Sequence, residues 1–230
     1  MVLRTYRLGE ADRIVVLCTA GRGKVRAVAK GVRKTTSRFG GRLEPTSHVA
    51  LQLYEGRSLD TITQAETIDH NGAIRSDLDR LGKANAVLEV VDQVAQEGEP
   101  NPALYRMVVG ALRALSAHDA PLLVPAFFLK LLALEGSAPL LDECAACGRD
   151  DGLVAFDLTI GGALCRDHRS GVPVSEDVLV LCRRILGGDL AAAISEPWSP
   201  VVAEVDALAT RAVEASLERR LRAPHLLDRS

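Results

Sequence analysis

From Val2 to Ile68, apolar and polar positions alternate in short runs rich in Val, Ile, Thr, Leu and Tyr, and turn residues break the runs. Period-two alternation predicts five strands, at 2–6, 13–19, 24–30, 48–54 and 59–67, with Ala20-Gly21-Arg22-Gly23 as the hairpin turn between the second and third. Five short strands within about 70 residues suit a small closed barrel such as the OB-fold, whose face and loops commonly bind nucleic acid. A small open sheet or an SH3-like barrel fits the same pattern. After Ile68 the period lengthens to that of a helix: Leu78, Leu81, Leu88, Val91 and Ala95 share one face over 76–96. Asn101-Pro102, a capping residue followed by proline at the first helical position, opens a second helix to about 117. A third, apolar all round and therefore expected to be buried, covers 122–135 and stops at Gly136. Ser175, followed by Glu176 and Asp177, opens a helix that ends near Gly187-Gly188, and Ser199-Pro200 opens the last long one, to about 221. The expected fold is α+β: an N-terminal five-stranded OB-type β-barrel (1–70), then an all-helical domain (71–230) with an inserted, otherwise irregular zinc-binding element at about 140–173.

A chain of 230 residues, 47% of them hydrophobic, can bury a substantial core without staples. The most apolar stretch, 121–136, carries Lys130 and Glu135 and is interrupted by Pro125, so no membrane span is expected. Charges lie scattered where the apolar centre of a signal peptide would fall, which makes the cytoplasm, in association with the nucleoid, the expected location. The formal net charge of −2 hides a division. Residues 1–60 carry 12 Lys/Arg against 5 Asp/Glu, a balance of +7, and residues 61–230 carry 16 against 25, or −9. One end is suited to a polyanion and the other to solubility or a protein partner.

The basic charge is concentrated. Between Gly21 and Arg42 stand eight cations, Arg22, Lys24, Arg26, Lys30, Arg33, Lys34, Arg38 and Arg42, and no carboxylate. On a strand, Lys24, Arg26, Val28 and Lys30 share one face while Val25, Ala27 and Ala29 share the other, so small apolar side chains line the interior as the cations face out. The segment from Gly31 to Arg42 combines glycines, hydroxyls, cations and Phe39, and reads as a mobile loop. Cations along a groove with a ring able to stack on a base are what sequence-tolerant single-strand binding needs, while an ordinary solvated strand and loop with Phe39 tucked into the barrel fits the same residues. Arg4, Arg7 and Arg13 extend the positive surface, and Tyr6 and Tyr54 are expected to pack in the barrel.

Cys144-Ala-Ala-Cys147, seventeen residues, then Cys165-Arg-Asp-His168 form a C-x2-C-x17-C-x2-H pattern. Two close-spaced ligand pairs joined by a loop are what one tetrahedral, structural Zn2+ requires, with no position left open for a catalytic water. A zinc deaminase would want H-x-E before P-C-x-x-C, and neither is present. There is no P-loop, dinucleotide fingerprint or nucleophile elbow. His48, His70, His118 and His225 stand alone as surface or packing residues, and Cys18 and Cys182 read as small core residues. No catalytic site is expected.

The run Val2-Leu-Arg-Thr-Tyr-Arg-Leu-Gly-Glu-Ala-Asp-Arg-Ile14, then Gly23-Lys-Val-Arg-Ala-Val-Ala-Lys-Gly-Val-Arg33 and Leu43-Glu-Pro45, resembles the OB-domain signature of the bacterial RecO family. The Cys144/Cys147/Cys165/His168 cluster resembles the zinc element that many members carry. Two features depart from the pattern: members usually have a few residues ahead of the first strand, so part of it is expected to be missing here, and His168 stands where relatives often place a cysteine. The resemblance implies a non-enzymatic mediator that binds single- and double-stranded DNA and anneals complementary strands. It also implies that RecR, often with RecF, joins it in loading RecA onto DNA covered by single-stranded DNA-binding protein. Two other readings fit the residues alone, a zinc-stabilised protein-interaction scaffold and an OB-fold RNA binder.

Overall fold

The computed structural model describes residues 1–222, so His225 lies outside the described residues. The described residues divide into two compact units, 1–117 together with Arg222, and 118–221.

The first unit opens with β1 (Val2–Leu8), β2 (Asp12–Thr19), β3 (Gly23–Ala29), β4 (His48–Tyr54) and β5 (Asp60–Asp69). They form one sheet in the order β1-β2-β3-β5-β4, antiparallel except for the parallel β3–β5 pair. That order is the one an OB-type sheet requires. β1 and β4 share no ladder among the described residues, but Val2 N–H donates to Ser47 O (2.9 Å) and Thr46 N–H to Val2 O (3.2 Å) where the two edges approach. Period two decides the interior: Val15, Leu17, Val25, Ala27, Ala29 and Ile62 are buried in one cluster. The same alternation corrects the expectation for the tyrosines. Tyr6 shares the outer face of β1 with Arg4, whose guanidinium lies 4.8 Å from its ring centre, and Tyr54, closing β4, is 71% exposed.

Three helices complete the unit: α1 (Gly72–Arg75), α2 (Leu78–Val94) and α3 (Pro102–Ala117). The Asp77 carboxylate caps α2 by accepting from the N–H groups of Asp79 and Arg80, and the Asn101 side chain caps α3 by accepting from Leu104 N–H. Leu78 departs from its expected face. It sits in the first turn of α2 at 79% exposure, and the helix meets the core only from Ala84 onward.

The second unit is built on α4 (Leu123–Leu134), in which nine side chains including Phe127, Phe128 and Leu129 are buried, as its all-round apolarity requires. The inserted element is not irregular: β6 (Leu153–Asp157), β7 (Gly162–Cys165) and β8 (Val172–Pro173) form a three-stranded antiparallel sheet in the order β7-β6-β8. Its strands are two to five residues long, too short to show a readable period. Helices α5 (Glu176–Leu186), α6 (Leu190–Ile194) and α7 (Pro200–Ser216) follow, with Ser175 and Ser199 capping the first and third through their hydroxyls. α7 ends five residues before the expected position, because Glu218 takes φ +51° and Arg219 N–H turns back to Glu214 O. Cys18 and Cys182 are core residues as expected, and burial pushes the Cys182 thiol up to about 12.

Candidate nucleic-acid interface and metal centre

The outward face of β3 carries its cations in the expected register, with Arg26 exposed between buried Val25 and Ala27, and Lys30 is exposed just past the strand's end. Much of that face is nevertheless engaged. The chain beyond α2 lies along the start of β3, where Lys24 N–H donates to Gln96 O (2.9 Å) and Glu97 bridges Gly23 and Lys24. Lys24 Nζ donates to Asp92 O (2.7 Å) and stands 3.8 Å from the Asp92 carboxylate, which also takes Arg4 Nε at 2.7 Å. Asp92 is 4% exposed, so this charge is desolvated and its partners are held to it. Arg26 faces Glu97 (3.7 Å), Arg22 pairs with Asp60 (2.7 Å) and Arg13 with Glu44 (2.6 Å). These cations arrive at the surface already balanced by carboxylates from distant parts of the sequence.

The loop after β3 differs. Lys30 and Lys34 are exposed and have no side-chain partner among the described residues. Arg33 is tied by one guanidinium nitrogen to Glu10 O (2.9 Å), and Gly31 N–H donates to the Asp12 carboxylate (2.7 Å), which fastens the start of the loop to the β1–β2 turn. The loop then closes in a short 3₁₀ turn, Gly40–Leu43. Phe39 is not an exposed ring: at 2% exposure it belongs to the sheet's core, because the turn needs an apolar anchor and Phe39 and Leu43 supply it. The buried ring serves the surface indirectly. The Arg38 guanidinium lies 5.0 Å from its centre, and Arg42 donates to Arg38 O (2.7 Å), so both cations are held at the loop's end while most of their N–H groups face solvent.

Cys144, Cys147, Cys165 and His168 converge, with all four ligand atoms within 4.8 Å of one another. A tetrahedral ion with metal–sulfur bonds of about 2.3 Å holds its sulfurs about 3.8 Å apart. Here Cys147 Sγ and Cys165 Sγ are 3.9 Å apart, Cys144 Sγ and His168 Nδ1 3.8 Å, and Cys165 Sγ and His168 Nδ1 3.3 Å. The donor set therefore fits a tetrahedral metal ion with every position filled by protein. Local backbone builds each half. In the first, Cys147 and Gly148 N–H both donate to Cys144 O (3.2 and 2.8 Å), and Gly148 turns the chain at φ +74°. In the second, Cys165 ends β7 and a 3₁₀ turn, Arg166–His168, brings His168 back. Arg149 ties the halves together by donating to Asp167 (2.8 Å). Desolvation opposes ionisation of Cys144, but the N–H groups of Cys165, Ala146 and Cys147 outweigh it and hold the thiol below its ordinary range; Cys165 is lowered likewise by the amides of His168 and Asp167, whereas Cys147, despite the Arg149 amide, is raised by desolvation and by the neighbouring Cys144 and Cys165 sulfurs. Thiolates are what a metal takes.

Two family models match successive parts of the chain. The model described as recombination protein O N terminal matches residues 1–71, and that described as recombination protein O C terminal matches 75–225. The chain belongs to the RecO family. A curated relative, the DNA repair protein RecO of Nocardioides sp. (strain ATCC BAA-499 / JS614), is 48% identical over 201 residues, covering 83% of this chain and 82% of its own. Membership of the RecO family carries a role in DNA repair and recombination. No helix among the described residues is long and apolar enough to cross a membrane. The RecO motifs locate the basic loop and the metal ligands, but not Thr67, His70 and Arg75, which β5 and α1 bring beside Arg38 and Arg42. Nothing in their sequence spacing points to the loop, since only the sheet joins them to it.

Proposed function

We propose that this protein is a non-enzymatic DNA-binding mediator of recombination and repair. Its 1–70 module binds single- and double-stranded DNA and anneals complementary strands. With RecR, often together with RecF, it helps load RecA onto DNA coated by single-stranded DNA-binding protein, acting in the cytoplasm at the nucleoid. The observation that carries the reading is the concentration of uncompensated cations on one loop, Lys30, Lys34, Arg38 and Arg42, in a chain of the RecO family. Phosphates held there release condensed counterions, and that release supplies sequence-independent affinity. In this reading Arg33 joins the loop's cations through its free guanidinium nitrogens, while Arg22, Lys24 and Arg26 act chiefly at the margin, because their carboxylate partners compete with phosphate. The metal is one structural Zn2+, favoured over oxygen-seeking cations by three thiolates and an imidazole. It braces the 140–173 element of the 71–230 helical domain, which offers protein-docking surfaces.

Fluorescence anisotropy with a labelled single-stranded DNA of about 30 nucleotides, titrated at several salt concentrations, tests the DNA part. The expected log–log slope is near −0.7 per phosphate contact, with several contacts. Replacing Arg33 and Lys34 by Glu should weaken binding to every sequence without unfolding the chain. Absence of binding even at low salt would leave a zinc-stabilised protein-interaction scaffold as the better reading.

A further inference from the structure

Beside the basic loop lies an open groove of about 710 Å³, formed where the 3₁₀ turn meets the end of β5 and α1. Its walls carry Arg38, Arg42, Arg75, His70, Ser37 and Thr67, with the bare backbone of two glycines between the loop arginines, and no carboxylate lines it. Arg75 is fully occupied as a wall. Its guanidinium donates to Thr46 Oγ1 (3.3 Å), to Pro45 O (3.1 Å) and to the Ser47 hydroxyl. Arg38 and Arg42 are free on their solvent side and are held in place by the Phe39 ring and the loop carbonyls. His70 is the one exposed ring on the groove. It packs over Gly72, where a Cβ would come within 3.0 Å of its Nε2, so the absence of a side chain at Gly72 sets where the imidazole lies. Arg38, Arg42 and His70 thus bring two cations and a flat π-face to the rim of one concavity, the combination that binds a strand with unpaired bases and that a fully stacked duplex cannot use.

Resting on the DNA-binding reading above, we propose that this groove is the single-strand path. Arg38 and Arg42 hold successive phosphates, and His70 is the platform on which an unpaired base stacks. His70 thereby takes the role that the sequence suggested for Phe39. The site also sits beyond the β3 face, whose cations are paired internally.

The test uses the full chain and anisotropy with a labelled single strand of about 30 nucleotides, beside a duplex of the same length. His70→Ala should lower single-strand affinity roughly tenfold with little change on duplex, and His70→Phe should restore it. Arg38→Ala and Arg42→Ala should each flatten the log–log salt slope by about 0.7. Both His70 and Arg38 are exposed, so unchanged far-ultraviolet circular dichroism is expected for their variants. If these variants bind as the parent does while Lys30→Glu with Lys34→Glu loses affinity, the groove is not the path and the DNA-binding reading stands. Rescue by His70→Lys but not by His70→Phe would overturn the stacking role. If the parent chain binds no DNA at low salt, the DNA-binding reading falls and the groove with it.

Discussion

Asn71 concentrates more structure than any motif residue. It is 3% exposed at φ +48°, donates its side-chain amide to Thr46 O (2.7 Å) and accepts from the Ser116 hydroxyl (3.0 Å), while its own N–H goes to Asp69 (2.8 Å). It thereby links the approach to β4, the end of β5 and the end of α3. Asn71→Ala strands a buried carbonyl and a hydroxyl and leaves a residue poorly suited to the left-handed region, so a loss of about 2–4 kcal/mol is expected from urea unfolding. His48 is the second such residue, 9% exposed with Nε2 2.8 Å from the Tyr105 hydroxyl. Burial, then the nearby N-terminal ammonium and Arg113, lower its pKa from 6.5, against a smaller opposing effect of Asp69. Because the folded chain prefers the neutral ring, its contribution is complete above pH 6.5 and is lost as pH falls through the lowered folded value. The urea midpoint should therefore drop between pH 7 and pH 5, and drop less in His48→Gln.

At the scale of elements, two short segments decide what the sheets can do. Gly23 opens β3 at φ +62°, and a Cβ there would lie 2.1 Å from Glu99 O, so only glycine lets the chain after α2 lie against the strand. Gly23→Ala should cost about 3 kcal/mol or more, read as a fall in thermal midpoint, since neither side of that contact is a flexible side chain. The metal element buries Leu153, Ala155, Phe156, Ala163 and Leu164, but its strands are only two to five residues long, so an ion held by the four ligands would cross-link segments that pair over few residues. Cys147→Ser should reduce the bound metal from one ion per chain to none, measured by plasma emission spectroscopy. It should also lower the thermal midpoint by roughly 5–10 °C.

Over the whole molecule, the charge division between 1–60 and 61–230 is real in the sequence but is partly cancelled in space. Asp92 and Glu97, from the acidic part of the sequence, return to neutralise Arg4, Lys24 and Arg26 of the basic part. Cations that look equivalent along the chain should therefore separate by experiment. Lys24→Ala should destabilise the fold by leaving Asp92 short of a partner, with little effect on the salt dependence of DNA binding. Lys34→Ala should leave stability unchanged and flatten the log–log slope by about 0.7. Parallel urea titrations and salt-dependent anisotropy on the two variants distinguish these outcomes.

The five strands, the long helices with the Asn and Ser caps of α3, α5 and α7, the buried α4 and the C-x2-C-x17-C-x2-H ligand set are all determined by the sequence alone. Period, caps and ligand spacing act over a few residues, so nothing distant has to be known to read them. Only the tertiary structure decided that Phe39 is an anchor rather than a platform and that β6 to β8 give the metal element a sheet. It also decided which cations are already paired and that His70 lies beside Arg38. Each of these depends on partners 30 or more residues away or on strands too short to show a period, and side-chain chemistry by itself carries no record of what the fold will set against it.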